Sequence, residues 1–418
     1  MAEQTSQKPP PTFLETVFNA ADAVARRVVS LMPLGRGIRK VFRAEPDGLI
    51  GWDHVREIAA ATLELQPSRS EPISHHMIDQ YQNMLLAAQQ QVETYTGLSA
   101  TGLPEKVLVF DQKDWIDANV VSFRFLFDPI SDRYVKTLEA MGPGQGASVN
   151  RLAHSVLSIQ VGIIMGYLAR NVLGQFDLSL PEPEKGGKLY VVEPNVRRVE
   201  LQMALDAREF RQWITLHEVT HSYEFHCNSW LRDHLSDSMQ EYLKTIDWRG
   251  LSRPDFFRGL GRRNPGTDDA LRAGGLISII STPEQREILA RLQAIMCVLE
   301  GYSNHVMDQV GKELLSTYGV MKERFERRRE MKSGAEKLFQ RLIGIDLKLE
   351  QYKLGQQFVD AVVNAEGVAF LNRVWESPDA MPSINEVRDP AAWIERIKNP
   401  GPSADERPPL NLYPFQSN

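Results

Sequence analysis

The sequence predicts a mainly α-helical domain with a small β component. Apolar residues recur at the three- and four-residue spacing of amphipathic helices over most of the 418 residues. Strand character is clear in a single segment, and neither an internal repeat nor a long linker divides the chain. We therefore expect a disordered tail at residues 1–12, one mostly helical domain over 13–400, and a tail at 401–418 that packs on the body or is disordered.

Helical spacing predicts most of the secondary structure. Ahead of the strand it predicts helices near residues 13–32, 53–65, 74–96, 113–141 with breaks, and 148–173. Later helices are expected near 207–227, 320–332, 334–343, 346–365 and 367–376, followed by a proline-spaced segment from about 377 that packs on the body. Thr282 opens a further helix that is expected to reach Gly311. Pro283 suits its first helical position, and Gln285 can close a capping box with Thr282.

The segment GGKLYVVEPNVRRVE, residues 186–200, is the clearest strand candidate. It begins with a glycine turn signal, continues through the apolar run from Leu189 to Val192 and meets Pro194. Because proline cannot donate a backbone hydrogen bond, it fits an edge strand better than a central one. We therefore expect an edge strand near residues 188–193.

The composition is that of an ordinary globular protein. Hydrophobic residues make up 42% and charged residues 24% of the chain, and the formal net charge of -6 leaves no basic footprint for nucleic acid. The N-terminal segment is typical of an amphipathic helix rather than a secretion signal, and residues 151–170 carry too many polar side chains for a membrane span. Cys227 and Cys297 cannot form a disulfide framework and are expected to be structural. We therefore expect a cytoplasmic protein with no nucleic-acid partner and no integral membrane segment; its oligomeric state is left open.

The stretch WITLHEVTHSYEFHC contains the motif H-E-x-x-H. Positions i and i+4 share one face of a helix, so His217 and His221 can direct both imidazoles at one metal ion. Glu218 lies beside the first of them, where its carboxylate can take a proton from a water whose pKa is lowered by zinc. The histidines also extend an apolar stripe, which predicts that they point inward. The motif therefore predicts a Zn²⁺ site with Glu218 as general base.

A catalytic zinc site needs a third protein ligand, and the nearest candidates fit poorly. His226 lies about 140° around the helix from His221. Cys227 stands where a metzincin would have its third histidine, but Glu224 occupies the place of the glycine that such a motif needs. Glu224 itself is about 10 Å along the axis from His217 and better suits a contact to a ligand than ligation.

Glu300, in the later stretch MCVLEGYSNHVMDQVG, is the better third ligand. It lies on the flank of an apolar helical stripe, where a carboxylate is unfavourable unless it is paired or bound to a metal. Asn304 and Asp308, one and two turns later, could orient a ligand histidine. His305 is the other ligand option and, together with Tyr302, a candidate donor to the oxyanion of the transition state. The residues leave open which of the two would donate.

These segments resemble a known family. FRQWITLHEVTHSYEF, LEGYSNHVMDQVG and GIDLKLEQYKLGQQFVDAVV are similar to the bacterial zincin-like candidate hydrolases, a family of uncharacterised zinc-dependent metallopeptidases of which some members are labelled as associated with deazaflavin coenzyme biosynthesis. The resemblance covers roughly residues 50–400 and implies a zincin-like core embedded in a large helical domain. It also implies a gluzincin-like glutamate ligand from a later helix, which matches Glu300. Asn304 departs from the aspartate of the thermolysin-like pattern E-x-x-x-D.

The sequence thus predicts a zinc-dependent hydrolase, with a metallopeptidase as the leading hypothesis. A peptide substrate could pair with the strand at 188–193, beside the metal helix. One alternative is a zinc-bound scaffold or regulatory protein without catalysis, although such a site needs no general base. The other is a small-molecule amide or ester hydrolase in cofactor metabolism. A deep closed pocket would favour a small substrate, and a long open groove a peptide.

Overall fold

The computed structural model describes residues 45–65 apart from 47, 72–139, 145–177, 187–245, 282–330 and 345–399. These residues form a mainly helical protein with one small sheet, so the predicted fold class is confirmed. The expected N-terminal tail, the helices near 13–32 and 334–343, and the C-terminal tail lie outside the described residues. The single domain over 13–400 stays a prediction.

The helices that were predicted within the described residues are present. We number them α1 Trp52–Glu64, α2 His75–Thr96, α3 Gln112–Glu139, α4 Gln145–Asn171, α5 Glu193–Met203, α6 Ala207–His226, α7 Ser229–Lys244, α8 Pro283–Leu314, α9 Tyr318–Glu330, α10 Ile345–Glu366, α11 Val368–Leu371, α12 Ile384–Arg388 and α13 Pro390–Lys398. Thr282 and Gln285 form the expected capping box at the start of α8. The helix predicted near 367–376 is divided into α11 and a 3-10 turn, Asn372–Trp375.

The sheet corrects the strand prediction. Its strands are β1 Val107–Phe110, β2 Gly174–Asp177 and β3 Lys188–Val192, in the order β1-β3-β2. β3 runs parallel to β1 and antiparallel to β2, so it is the central strand, not an edge strand. Pro194 does not disturb the pairing because β3 ends at Val192, and the proline lies in the first turn of α5, where its missing N–H is harmless.

Two hydrophobic clusters organise the helices. The larger one joins side chains of α2, α6, α8 and α10 with the short C-terminal helices, whose Trp393 is fully buried. The smaller one joins α1, α3 and α4 around Trp52 and Trp115. The expected packing of the segment after residue 377 on the body is therefore seen as far as α13. Among the described residues, no helix is both long and apolar enough to cross a membrane.

The crossing of α8 and α10 is unusually close. A Cβ on Gly355 of α10 would lie 1.9 Å from the carbonyl oxygen of Cys297, and one on Gly301 of α8 would lie 2.3 Å from the carbonyl carbon of Gly355. Only glycine allows two helix backbones to meet at this distance. The contact lies directly beside Glu300 and fixes the part of α8 that carries it.

Candidate metal centre

Helix α6 carries both histidines of the H-E-x-x-H motif on one face. Asp206 caps its first turn by accepting a hydrogen bond from the Glu209 amide, and the helix continues without a break to His226. His217 and His221 are one turn apart, with ring centroids separated by 4.7 Å and ring planes at 81°. Their side chains are 19% and 14% exposed, so they lie at the wall of the core rather than deep inside it.

Glu300 of α8 meets both histidines. Its Oε2 atom lies 3.6 Å from Nε2 of His217 and 3.9 Å from Nε2 of His221. The carboxylate is 12% exposed, as expected for a glutamate on the flank of an apolar stripe. The structure therefore brings together the three residues that the sequence singled out, although Glu300 lies 79 positions after His221 in the chain.

The three side chains fit a zinc ion in both geometry and donor type. One ligand atom from each lies within 4.8 Å of the others. Tetrahedral zinc with nitrogen and oxygen ligands at roughly 2.0–2.2 Å places neighbouring ligand atoms about 3.3–3.6 Å apart, close to the two spacings around Glu300. Two imidazoles and one carboxylate are also the ligand set of many catalytic zinc sites, which keep a fourth position open.

The carboxylate of Glu218 is held by β2, the edge strand beside α6. The backbone N–H of Phe176 donates a hydrogen bond of 2.9 Å to Oε2 of Glu218. Gly174, on the same strand, lies against the side chain: a Cβ there would be 2.7 Å from Cγ and 2.9 Å from Oε1 of Glu218. Burial raises the pKa of Glu218, against the opposing effect of the nearby histidines. The carboxylate is therefore held in place, with a pKa above the ordinary glutamate value.

The sequence profile of the zincin-like metallopeptidases matches residues 50–394 of the chain. The chain belongs to this family. A solved structure from Chloroflexus aurantiacus, described as a candidate hydrolase with a novel fold, is 34% identical to it with a TM-score of 0.62; the match covers 84% of this chain and 100% of that one. Curated proteins show no match. The zincin resemblance is thus confirmed. The family match and the solved structure both support a hydrolase.

In this zincin the second nitrogen of His221 is also engaged. Nδ1 of His221 lies 2.7 Å from Oε2 of Glu224 and 3.1 Å from the Ser303 hydroxyl, which donates in turn to Oε1 of Glu224. Burial alone would lower the pKa of His221, but the Glu224 carboxylate, with Glu300 and Glu218, raises it to about 10. Burial raises the pKa of Glu224. Glu224 thus contacts a candidate ligand, as its position along the helix suggested.

His305 and Tyr302, the residues expected to donate to the oxyanion, have partners on neighbouring elements, and the role itself stays a prediction. Nδ1 of His305 lies 2.6 Å from Oδ1 of Asp360, and Nε2 lies 2.7 Å from the Tyr95 hydroxyl. The hydroxyl of Tyr302 donates to Oδ1 of Asn372 at 2.7 Å. His305 follows Glu300 by five residues and Tyr302 follows it by two. At about 100° per residue, the side chain of His305 therefore leaves α8 about 140° around the helix from Glu300, and that of Tyr302 about 160°. Their hydrogen bonds join α8 to neighbouring elements.

Neither Asn304 nor Asp308 is seen to orient a ligand histidine. Asp308 accepts hydrogen bonds from Tyr318, Lys322 and Gln356, and so ties α8 to α9 and α10. The buried Nδ1 atom of His217 has no hydrogen-bond partner among the described residues. Glu224 and Ser303 lie within hydrogen-bond distance of a candidate ligand, at Nδ1 of His221.

The residues rejected as ligands have other partners. His226 directs Nδ1 at the carbonyl of Ser222, 2.7 Å away, and Cys227 lies with its sulfur 3.6 Å from the carbonyl of Ser99. Cys297 is fully buried, and burial raises the pKa of its thiol to about 11, so it stays protonated and unreactive.

Three contributors to the site were not foreseen: Gly174, Phe176 and Ser303. Gly174 and Phe176 act through close packing and a backbone amide, which leave no side-chain signal in a sequence. Ser303 offered a weak one, since it lies three residues after Glu300 and therefore on a neighbouring position of the same helix.

Proposed function

We propose that this zincin is a zinc-dependent hydrolase, with His217, His221 and Glu300 as metal ligands and Glu218 as general base. The observation that carries the proposal is the position of one Glu300 oxygen, 3.6 Å and 3.9 Å from the two histidine Nε2 atoms. The family membership supports metallopeptidase as the leading activity. Zinc, when bound there, acts as a Lewis acid that lowers the pKa of water and polarises a carbonyl group.

Glu218 has one oxygen for each of two tasks. Oε2 accepts a hydrogen bond from the backbone N–H of Phe176, which fixes the carboxylate. Oε1 would take a proton from the attacking water. As the water oxygen bonds to the carbonyl carbon, the proton passes to Oε1 of Glu218. It then moves to the nitrogen of the leaving amine as the C–N bond breaks. The raised pKa of Glu218 suits a group that must both accept and release this proton.

The sheet changes where a peptide could bind. β3 is central and has no free edge, so the peptide pairing expected at residues 188–193 is not available. β2 is the edge strand beside α6, but its Phe176 amide, which an added strand would need, already donates to Glu218. This contact favours a small amide as the second candidate substrate. A peptide would have to lie across the metal ligands without pairing along β2 at Phe176.

The non-catalytic alternative has less support. A structural zinc site is usually closed by a fourth protein ligand and needs no general base. Here the group found among the described residues has three members, and a buried carboxylate is held beside it by a dedicated backbone contact. Both features support catalysis rather than a scaffold.

The test combines metal analysis with a cleavage assay. We expect Glu300→Ala to lose most bound zinc, because two imidazoles alone hold zinc weakly, while Glu313→Ala, an exposed glutamate on the same helix, keeps it. Glu218→Gln should keep zinc but lower kcat by a factor of about 100 or more in a peptide library and on small amides. Full zinc in Glu300→Ala would exclude Glu300 as a ligand, and undiminished cleavage by Glu218→Gln would exclude the proposed base.

A further inference from the structure

Glu224 is a completely buried carboxylate beside the candidate metal centre. It lies one turn after His221 on α6, and its relative exposure is 0%. Ser303, on α8, is also 0% exposed. The three side chains form a closed triangle: His221 Nδ1 to Glu224 Oε2 is 2.7 Å, and the Ser303 hydroxyl lies 3.1 Å from both His221 Nδ1 and Glu224 Oε1.

Both oxygens of Glu224 are used within this triangle. A buried carboxylate is unfavourable unless each oxygen has a partner, so its presence needs a compensating interaction. One partner is a candidate metal ligand, and the other lies three residues after Glu300. The carboxylate therefore connects the histidine helix to the glutamate helix at the level of the site.

The contact also decides which nitrogen of His221 is available. A carboxylate at Nδ1 favours the tautomer with the proton on that atom and leaves the lone pair on Nε2. Nε2 is the atom that faces Glu300, at 3.9 Å. Nδ1 of His217 has no comparable partner among the described residues, so the two histidines are held unequally.

We propose that Glu224 and Ser303 are positioning residues that orient His221 as the better-held histidine ligand and thereby set how tightly the site retains its metal. The inference rests on the metal site of the proposed function. Glu224 acts through the imidazole: it fixes the ring, keeps the proton on Nδ1 and makes Nε2 a stronger electron-pair donor to the metal. Ser303 holds Glu224 in place and contributes less, because its hydroxyl is neutral.

The experiment measures zinc affinity by competition with a chromophoric chelator, with the full-length protein. Contacts of this kind typically change metal affinity by about 10- to 100-fold, so we expect that loss in Glu224→Gln. Ser303→Ala should lose less than Glu224→Gln, and the double variant less than the product of the two, since both belong to one network. The visible spectrum of the Co²⁺-loaded protein should change in Glu224→Gln, as expected for a reoriented ligand.

Glu209→Gln is the matched control. Glu209 is on the same helix and also accepts several hydrogen bonds, but from Ser316 and Thr317 rather than from a candidate ligand. Its zinc affinity and Co²⁺ spectrum should equal those of the wild type, which separates an effect on the ligand from a general loss of stability.

The outcomes separate this inference from the proposed function. Wild-type protein that binds no zinc overturns both. Wild-type protein that binds zinc, with Glu224→Gln binding within twofold of it and giving the same Co²⁺ spectrum, overturns the positioning role alone. If Glu224→Gln does not fold, Ser303→Ala decides, and an unchanged affinity in that variant overturns the proposal.

Discussion

Gly174 is the residue at which the sheet and the candidate metal centre come closest. A Cβ atom on Gly174 would lie 2.7 Å from Cγ and 2.9 Å from Oε1 of Glu218, which is too close for either atom. Glu218 is buried and bonded to Phe176, so it cannot move aside without losing that hydrogen bond. A single methyl group on β2 should therefore displace the proposed base while leaving His217, His221 and Glu300 untouched.

We accordingly expect Gly174→Ala to lower kcat strongly and to leave zinc content unchanged. A misplacement of about 1 Å in a reacting group can reduce a rate by about 100-fold, and the clash here is of that order. Kinetics and metal analysis on the same preparation would measure both quantities. Gly319→Ala is the control, since no atom lies within 4 Å of the Cβ that it adds. Unchanged kcat in Gly174→Ala would contradict the assigned position of Glu218.

At the scale of elements, Glu209 ties the histidine helix to the start of α9. Its carboxylate accepts hydrogen bonds from the backbone amides and the hydroxyls of Ser316 and Thr317, which directly precede Tyr318. Burial by itself would raise the pKa of Glu209, but these four hydrogen bonds lower it to about 2. The positive end of the α9 dipole favours a negative charge at the same place.

The stability from Glu209 should depend on pH in a defined window. Because its pKa is lower in the folded state than the ordinary 4.5, the stabilisation is fully present above about pH 4.5 and is lost as the pH falls toward 2. We expect Glu209→Gln to lower the free energy of unfolding by about 1–2 kcal/mol at pH 7, a value reduced for solvent screening, and by less near pH 2.

Urea unfolding at a series of pH values measures this difference. Glu313→Gln, which removes an exposed carboxylate from α8, should show little effect at any pH in the series. A Glu209→Gln variant as stable as the wild type at pH 7 would show that these hydrogen bonds contribute nothing net.

At the scale of the whole molecule, the sequence predicted what is local and missed what depends on distant partners. The start of α8 and the H-E-x-x-H face of α6 were found because cap, proline and helical spacing lie within a few residues. β1 and β2 were missed because four residues are too few to show alternation, and their pairing with β3 joins distant segments. Pro194 was misassigned because a proline after a strand fits the first turn of a helix equally well.

The candidate site shows the same division. Glu300 could be predicted because a carboxylate on the flank of an apolar stripe is conspicuous, and a family resemblance pointed to the same residue. The partners of His305 could not be predicted, because no sequence pattern links it to Asp360, 55 residues later, or to Tyr95, 210 residues earlier. The partner of a polar side chain on another helix is set by tertiary packing, which no short pattern encodes.

The proposed metal site would join α6 to α8 beside the larger hydrophobic cluster, so zinc bound there should stabilise the whole molecule. A ligand that binds only the folded state adds about 2.7 kcal/mol of stability when it is 100-fold above its Kd. We expect zinc to raise the Tm by a few degrees, and a chelator to reverse the rise. Thermal unfolding with and without zinc measures the shift.

Two comparisons make that shift specific to His217, His221 and Glu300. Glu300→Ala should lose most of it, whereas zinc bound at exposed histidines such as His75 and His76 would stabilise wild type and variant alike. Mg²⁺ should have little effect, because it requires octahedral oxygen ligands and two of the three donors here are imidazoles. An equal shift in Glu300→Ala would mean that the stabilising zinc binds elsewhere on the protein, and α6 and α8 would then be joined by packing and by the contacts of Ser303 with Glu224 and His221, without zinc.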